Sequence, residues 1–215
     1  MTNRKPLLML SLPNSGSTWL AEQIAQTTSW SSYSMEYFNP LRNPLHYGRL
    51  SSGFGCELVD CYRNIALDDY ADFDDDVRDT FMRSGFNFTK EVFSPFKMRA
   101  FLRHFSLFVL LREQADTFPP KRARVWSFYE HAWFAMTGLK GVKLAGTNCQ
   151  SRAIAAYRHM HDRLEQDAKE LDVPIIRYRD LFDDHLLPVV MFQAIGECND
   201  NLLNAIGSTR VLSDR

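Results

Sequence analysis

A chain of 215 residues, 45% hydrophobic and 13% aromatic, is long enough to fill one core, so a single domain spanning 1–215 is expected. The formal charge of -1 gives no global argument for nucleic acid or an anionic membrane, and any anion site would have to be local. Four cysteines (Cys56, Cys61, Cys149, Cys198) form neither a zinc pattern nor a secreted disulfide framework, and reduced thiols in a cytoplasm are the expectation.

The N-terminal "MTNRKPLLMLSLP" is shorter in its apolar part than a signal peptide and runs into Pro13 and Asn14 without a small-residue cleavage site. No run approaches the roughly 20 apolar residues of a membrane span. Instead, "PLLMLSL" reads as a buried strand that enters the turn "PNSGS" and leaves as a helix, with Trp19, Leu20, Gln23 and Ile24 at helical spacing as far as about Thr27. Backbone N–H groups at such a helix start form a ready anion site. The stretch "WSSYSMEYFNP" has extended or loop character, and 41–55 reads as a loop from its Gly, Pro, Asn and Ser content.

The apolar stripe Leu67, Tyr70, Phe73, Val77 and Phe81 predicts an amphipathic helix ended by Gly85, with its aspartates as a solvated face. Two β-like runs, "FNFTKEVF" and "FSLFVLLR", flank a short helix whose Ser94 and Pro95 suit the N-cap and first position. A helix over "PPKRARVWSFYEHAWFAMTG" stops at Gly138 and a long helix covers about 150–171. "VPIIRYRDLF" is a strand leading into a turn, and the tail holds one or two short helices. Strands near 7–12, 87–92, 106–112 and 174–178, separated by helices, give an α/β fold with a mainly parallel sheet flanked by helices. Ligands bind beyond the C-terminal strand ends of such sheets, so Asn14 to Thr18, Lys90, Glu91, Arg112 and Arg177 are expected around one crevice.

Three segments in order, "LSLPNSGSTWLAEQIA", "FVLLRE" with "WSFYEHAW", and "PIIRYRDL", resemble the sulfotransferases that use 3'-phosphoadenosine 5'-phosphosulfate (PAPS) as co-substrate. Pro-x-Ser-Gly-Ser-Thr-x-Leu differs from the lysine-bearing loop of nucleoside triphosphatases. The resemblance implies a three-layer P-loop sulfotransferase architecture and transfer of a sulfuryl group to a hydroxyl or amino group. The acceptor would be a small molecule or a carbohydrate, with no metal, nucleic acid or membrane involved and with the oligomeric state open.

By the same resemblance, Asn14, Ser15, Gly16, Ser17 and Thr18 hold the phosphosulfate end. Asn14 stands where family members usually carry Lys or Arg and supplies no net charge; Lys90 is the candidate replacement, and a surface lysine at a strand end is the plain alternative. Arg112, at the mouth of its strand, suits bidentate recognition of the 3'-phosphate. The hydroxyl that completes this subsite is Ser127 or, alternatively, Thr117, since a lengthened "EQADTFPP" places proline at the usual position.

Glu36 matches the general base of some members, Glu91 is the runner-up, and His46, His104 and His131 are further options. Lys121, Arg122 and Arg124 form a basic helix start, facing phosphate or solvent. Trp19 walls the site or joins the core, and Arg210 in the tail reaches the nucleotide or frays. Residues 37–85 with Trp126, Phe128 and Trp133 shape the acceptor pocket. Two rivals stay open: a binding protein that kept the fold and lost catalysis, and a small-molecule kinase, which would be expected to carry the loop lysine absent here.

Overall fold

The first apolar run becomes the central strand of a sheet. In the computed structural model, which describes residues 4–38, 75–92, 98–118, 123–137 and 141–213, strand β1 (Leu7–Ser11) is buried along its whole length. It lies between β3 (Phe88–Glu91) and β4 (Ser106–Leu111), with β2 (Tyr33–Met35) and β5 (Ile175–Arg177) outermost. The order is β2-β3-β1-β4-β5, and all four pairings are parallel. The helices are α1 (Ser17–Thr27), α2 (Asp75–Arg83), α3 (Met98–Leu102), α4 (Gln114–Thr117), α5 (Ala123–Thr137), α6 (Cys149–Glu170), α7 (Leu187–Ile195) and α8 (Asp200–Ser213), with a 3-10 turn at Tyr178–Phe182.

Both faces of the sheet are covered, which is why the central strands β1 and β4 are apolar on nearly every position rather than on alternate ones. Leu7 and Met9 of β1 and Phe108 and Leu110 of β4 pack with Leu20, Ile24, Met191 and Ile206 on one side. Leu8, Leu10, Val109 and Leu111 pack with Phe81, Phe101, Tyr129 and Tyr157 on the other. This follows from the connections. From β1 the chain runs outward past β3 to β2, whereas the next three connections all step the opposite way. A single crossover hand then requires α1 on one face and α2, α3, α5 and α6 on the other, as found. Because β1 and β4 are neighbours whose chains leave in opposite directions, the ligand crevice expected of such a sheet lies between their C-terminal ends.

Strands and helices are found where expected among the described residues, except that Gln114–Thr117, read as part of a lengthened loop, forms the short helix α4, and that two further stretches differ. Residues 33–35, assigned loop or extended character, form an edge strand that exists only through its pairing with Phe88, Thr89 and Lys90. The acidic helix is described from Asp75, so Leu67, Tyr70 and Phe73 fall outside the described residues, as do Ser94, Pro95, Gly138, Cys56 and Cys61. The tail is helical to Ser213. No described helix is long and apolar enough to cross a membrane.

The long helix α6 starts on a capping box, in which Asn148 accepts from the Ser151 N–H at 2.8 Å and Ser151 Oγ accepts from the Asn148 N–H at 3.1 Å. Further along, Glu165 joins it to β5 by accepting from Lys169 at 2.8 Å and from Arg177 at 2.5 Å. The hydrogen bond from Lys169, then that from Arg177, holds the Glu165 carboxyl below its usual range against the upward push of burial. A depressed native value contributes stability above the unfolded value of about 4.3, which is lost as pH falls through the native one. Acid titration of stability from pH 5 downward is therefore expected to be steeper in the wild type than in Glu165→Gln, measured by urea unfolding at each pH.

Candidate functional site

The turn between β1 and α1 is made by two left-handed residues, Asn14 at φ 64 and Gly16 at φ 84. Asparagine and glycine are the residues that reach this region at least cost. Gly16 is the N-cap of α1 and offers no side-chain cap, and the first turn carries no acidic residue. The leading N–H groups of the helix thus keep their positive end for an external anion. Ser15 Oγ is buried inside this turn and has no hydrogen-bond partner among the described residues. Ser17 is buried, whereas Thr18 is exposed.

Three elements on the far side of the switch point hold the loop. Asn14 donates through Nδ2 to the Thr117 carbonyl at 2.6 Å, Tyr129 donates its hydroxyl to the Pro13 carbonyl at 2.8 Å, and Arg112 Nη1 donates to the Asn14 carbonyl at 3.3 Å. Asn14, which stands in place of a cation, therefore has a structural task that a lysine would not perform: it accepts a left-handed backbone and ties the loop to α4. Arg112 is half-buried, and its Nε has no hydrogen-bond partner among the described residues. Its backbone carbonyl accepts from the Tyr157 hydroxyl, whose pKa burial pushes up to about 12, so this donor stays protonated at neutral pH.

Glu36 and Lys90 are brought together. Lys90 Nζ donates to Glu36 Oε1 at 2.8 Å, with 2% and 6% of the two side chains exposed. Lys90 pairs in register with Met9, so this ion pair lies at the same end of the sheet as the loop, one strand over. Glu36 is held at φ 53, a strained value for a non-glycine residue, by contacts on both sides of it. The next two backbone N–H groups are taken by alternate β3 side chains: Tyr37 donates to Thr89 Oγ1 at 3.2 Å and Phe38 to Glu91 Oε1 at 2.8 Å. Glu91 thus faces away from Lys90, as strand alternation requires.

Other expected residues lie elsewhere. Ser127 is exposed, next to His131, two residues from Tyr129 and so on the opposite side of α5 from the side chain that reaches the loop. Thr117 is buried and directs its hydroxyl to the Glu113 carbonyl and to Tyr157. Arg177 faces α6 and bridges Glu165 and Glu113 rather than the crevice, since its strand neighbour Ile176 takes the α1 face. His104 precedes β4, at the N-terminal end of the sheet. Trp126, Phe128 and Trp133 pack against the core on the α6 side. Trp19 meets Tyr178 edge-on and Phe182 in a stack. His46, Lys121 and Arg122 lie outside the described residues, as do the side chains of Arg124 and Arg210.

Tyr129 and Tyr178 were missed because nothing in local spacing tells that a helix hydroxyl reaches Pro13 or that a ring covers Gly16. A Cβ added at Gly16 would lie 2.6 Å from Tyr178 Cε2. Comparison with family models, curated proteins and solved structures finds no match for this chain. Among the described residues, no group of three or more His, Cys, Asp or Glu side chains is placed to hold a metal ion.

Two outcomes follow for stability. Lys90→Met leaves the buried Glu36 carboxylate without its ammonium and is expected to cost about 3–5 kcal/mol, most of it recovered in the Glu36→Gln/Lys90→Met double variant; denaturant unfolding of the four chains checks this. Asn14→Gly keeps the left-handed turn but loses the amide, at about 1 kcal/mol, whereas Asn14→Ala loses both, at about 2 kcal/mol, in the same measurement.

Proposed function

We propose that the chain is a PAPS-dependent sulfotransferase of three-layer P-loop architecture, which moves a sulfuryl group to the hydroxyl or amino group of a small-molecule or carbohydrate acceptor. The observation that carries this is the turn at the switch point. An uncapped helix start, and a buried Ser15 hydroxyl and an Arg112 Nε that have no hydrogen-bond partner among the described residues, border one loop. Buried donors left in this state are costly unless a ligand satisfies them, and an anion does so.

In this reading Asn14, Ser15, Gly16, Ser17 and Thr18 receive the phosphosulfate end of the donor, and Arg112 receives a phosphate oxygen. A new bond forms between the acceptor oxygen or nitrogen and sulfur while the sulfur–oxygen bond to the donor phosphate breaks, leaving adenosine 3',5'-bisphosphate. The acceptor proton passes to Glu36, the carboxylate held by Lys90. Protein donors and cations stabilise the transferring group, so the scheme calls for no metal.

A second reading has its own observation. The Asn14 amide carries no charge and is tied to Thr117, and the Lys90 ammonium is paired with Glu36, so neither adds a free cation to the loop. In that case the chain holds the bisphosphate without turning over a donor. Calorimetric titration with adenosine 3',5'-bisphosphate is expected to show binding that Arg112→Ala weakens at least ten-fold. No heat at millimolar ligand would sink both readings, and a rise in melting temperature with magnesium ATP alone would favour the kinase. Binding without sulfated product across a broad acceptor panel would select the second reading.

A further inference from the structure

We infer that Tyr178 is a positioning residue for Arg112, presenting the free edge of the guanidinium to the anion in the loop; the inference rests on the anion-binding reading above. It starts from strand register. Leu111 of β4 pairs with Arg177 of β5, so Arg112 and Tyr178 are the next residues beyond the last pair of two adjacent parallel strands. Leu111 packs on the α6 face, so alternation turns Arg112 to the α1 face. Tyr178 packs on that face too. The two side chains meet there, with Arg112 Cζ 4.3 Å from the Tyr178 ring centroid.

The ring is fixed on its other sides. It stands over Gly16, where even a Cβ would approach Cε2 to 2.6 Å, and it touches Trp19 and Phe182 with centroids 6.5 and 5.2 Å away. A guanidinium donates in its own plane and stacks through its faces, so an aromatic on one face leaves the donating edges available. Here Nη1 is used by the Asn14 carbonyl, and Nε remains buried without a hydrogen-bond partner among the described residues. Tyr157 fixes the backbone of the same residue from α6. One aromatic ring thus sets both the height of the loop at Gly16 and the plane of the arginine beside it. The ring does this work, not its hydroxyl.

The test uses the full chain with Tyr178→Phe, Tyr178→Leu and Arg112→Lys. Two readouts are taken: the calorimetric affinity for adenosine 3',5'-bisphosphate, and the Arg112 Nε–H proton resonance, assigned by its loss in Arg112→Lys. The wild-type proton is expected to be shifted upfield by the ring current, to stay so in Tyr178→Phe, and to lose the shift in Tyr178→Leu. Affinity should stay within two-fold in Tyr178→Phe and fall at least five-fold in Tyr178→Leu. Packing on the loop alone would not move the arginine resonance. Wild-type binding with Tyr178→Leu equally tight, or with no upfield shift in the wild type, overturns the inference and leaves the anion reading standing. A wild-type chain that binds no bisphosphate overturns the reading and the inference together.

Discussion

The geometry around the crevice depends on one constraint, the left-handed turn that lets β1 end and α1 begin within five residues. With Asn14 and Gly16 both at positive φ, the chain reverses tightly enough to leave the α1 N–H groups pointing out over the sheet edge. Within the turn the Ser15 N–H donates to the Leu12 carbonyl at 3.3 Å, a long bond that holds it weakly. It is therefore held from outside, by Tyr129 on Pro13, by Thr117 and Arg112 on Asn14, and by the Tyr178 ring on Gly16. These four residues come from four separate segments that meet only because β1 and β4 are neighbours at the switch point.

A second, independent clasp stands at the ends of β2 and β3. Thr89, Lys90 and Glu91 each take hold of one residue among Tyr37, Glu36 and Phe38, and together they keep Glu36 in a backbone conformation it would not adopt alone. A buried ion pair is a weak source of net stability, because desolvation of both charges offsets their attraction. Its effect here is to fix where one carboxylate and one ammonium sit. Conversely, removing either partner leaves a buried charge facing the wrong surroundings.

The two clasps differ in chemical character. The loop between β1 and α1 collects donors: helix N–H groups, Ser15 and Arg112. The β2 and β3 ends collect a matched pair with no net charge, beside a second carboxylate, Glu91, that accepts from the Phe38 N–H. Donors unpaired among the described residues are thus gathered on the loop side, and the neutral ion pair stands one strand over.

Much of the fold was legible in the residues. Continuous apolar runs at 7–12 and 106–112 bounded by turn signals meant doubly buried strands, and "PNSGS" between such a run and a helical stripe meant a tight strand-to-helix turn, because both follow from local sterics and periodicity. Arg112 at the mouth of a strand was legible for the same reason. Three residues of β2 were not, since so short an edge strand is created by its partner. The sequence could single out Glu36 and Lys90 but not join them, and it read Asn14 as a missing cation. Only tertiary structure made Asn14 a tie to α4, turned Ser127 away from the loop, sent Arg177 to Glu165 and set Tyr178 against Arg112. Each of these depends on strand order and register, which bring together residues from 12 to 116 positions apart, and no local pattern encodes that distance.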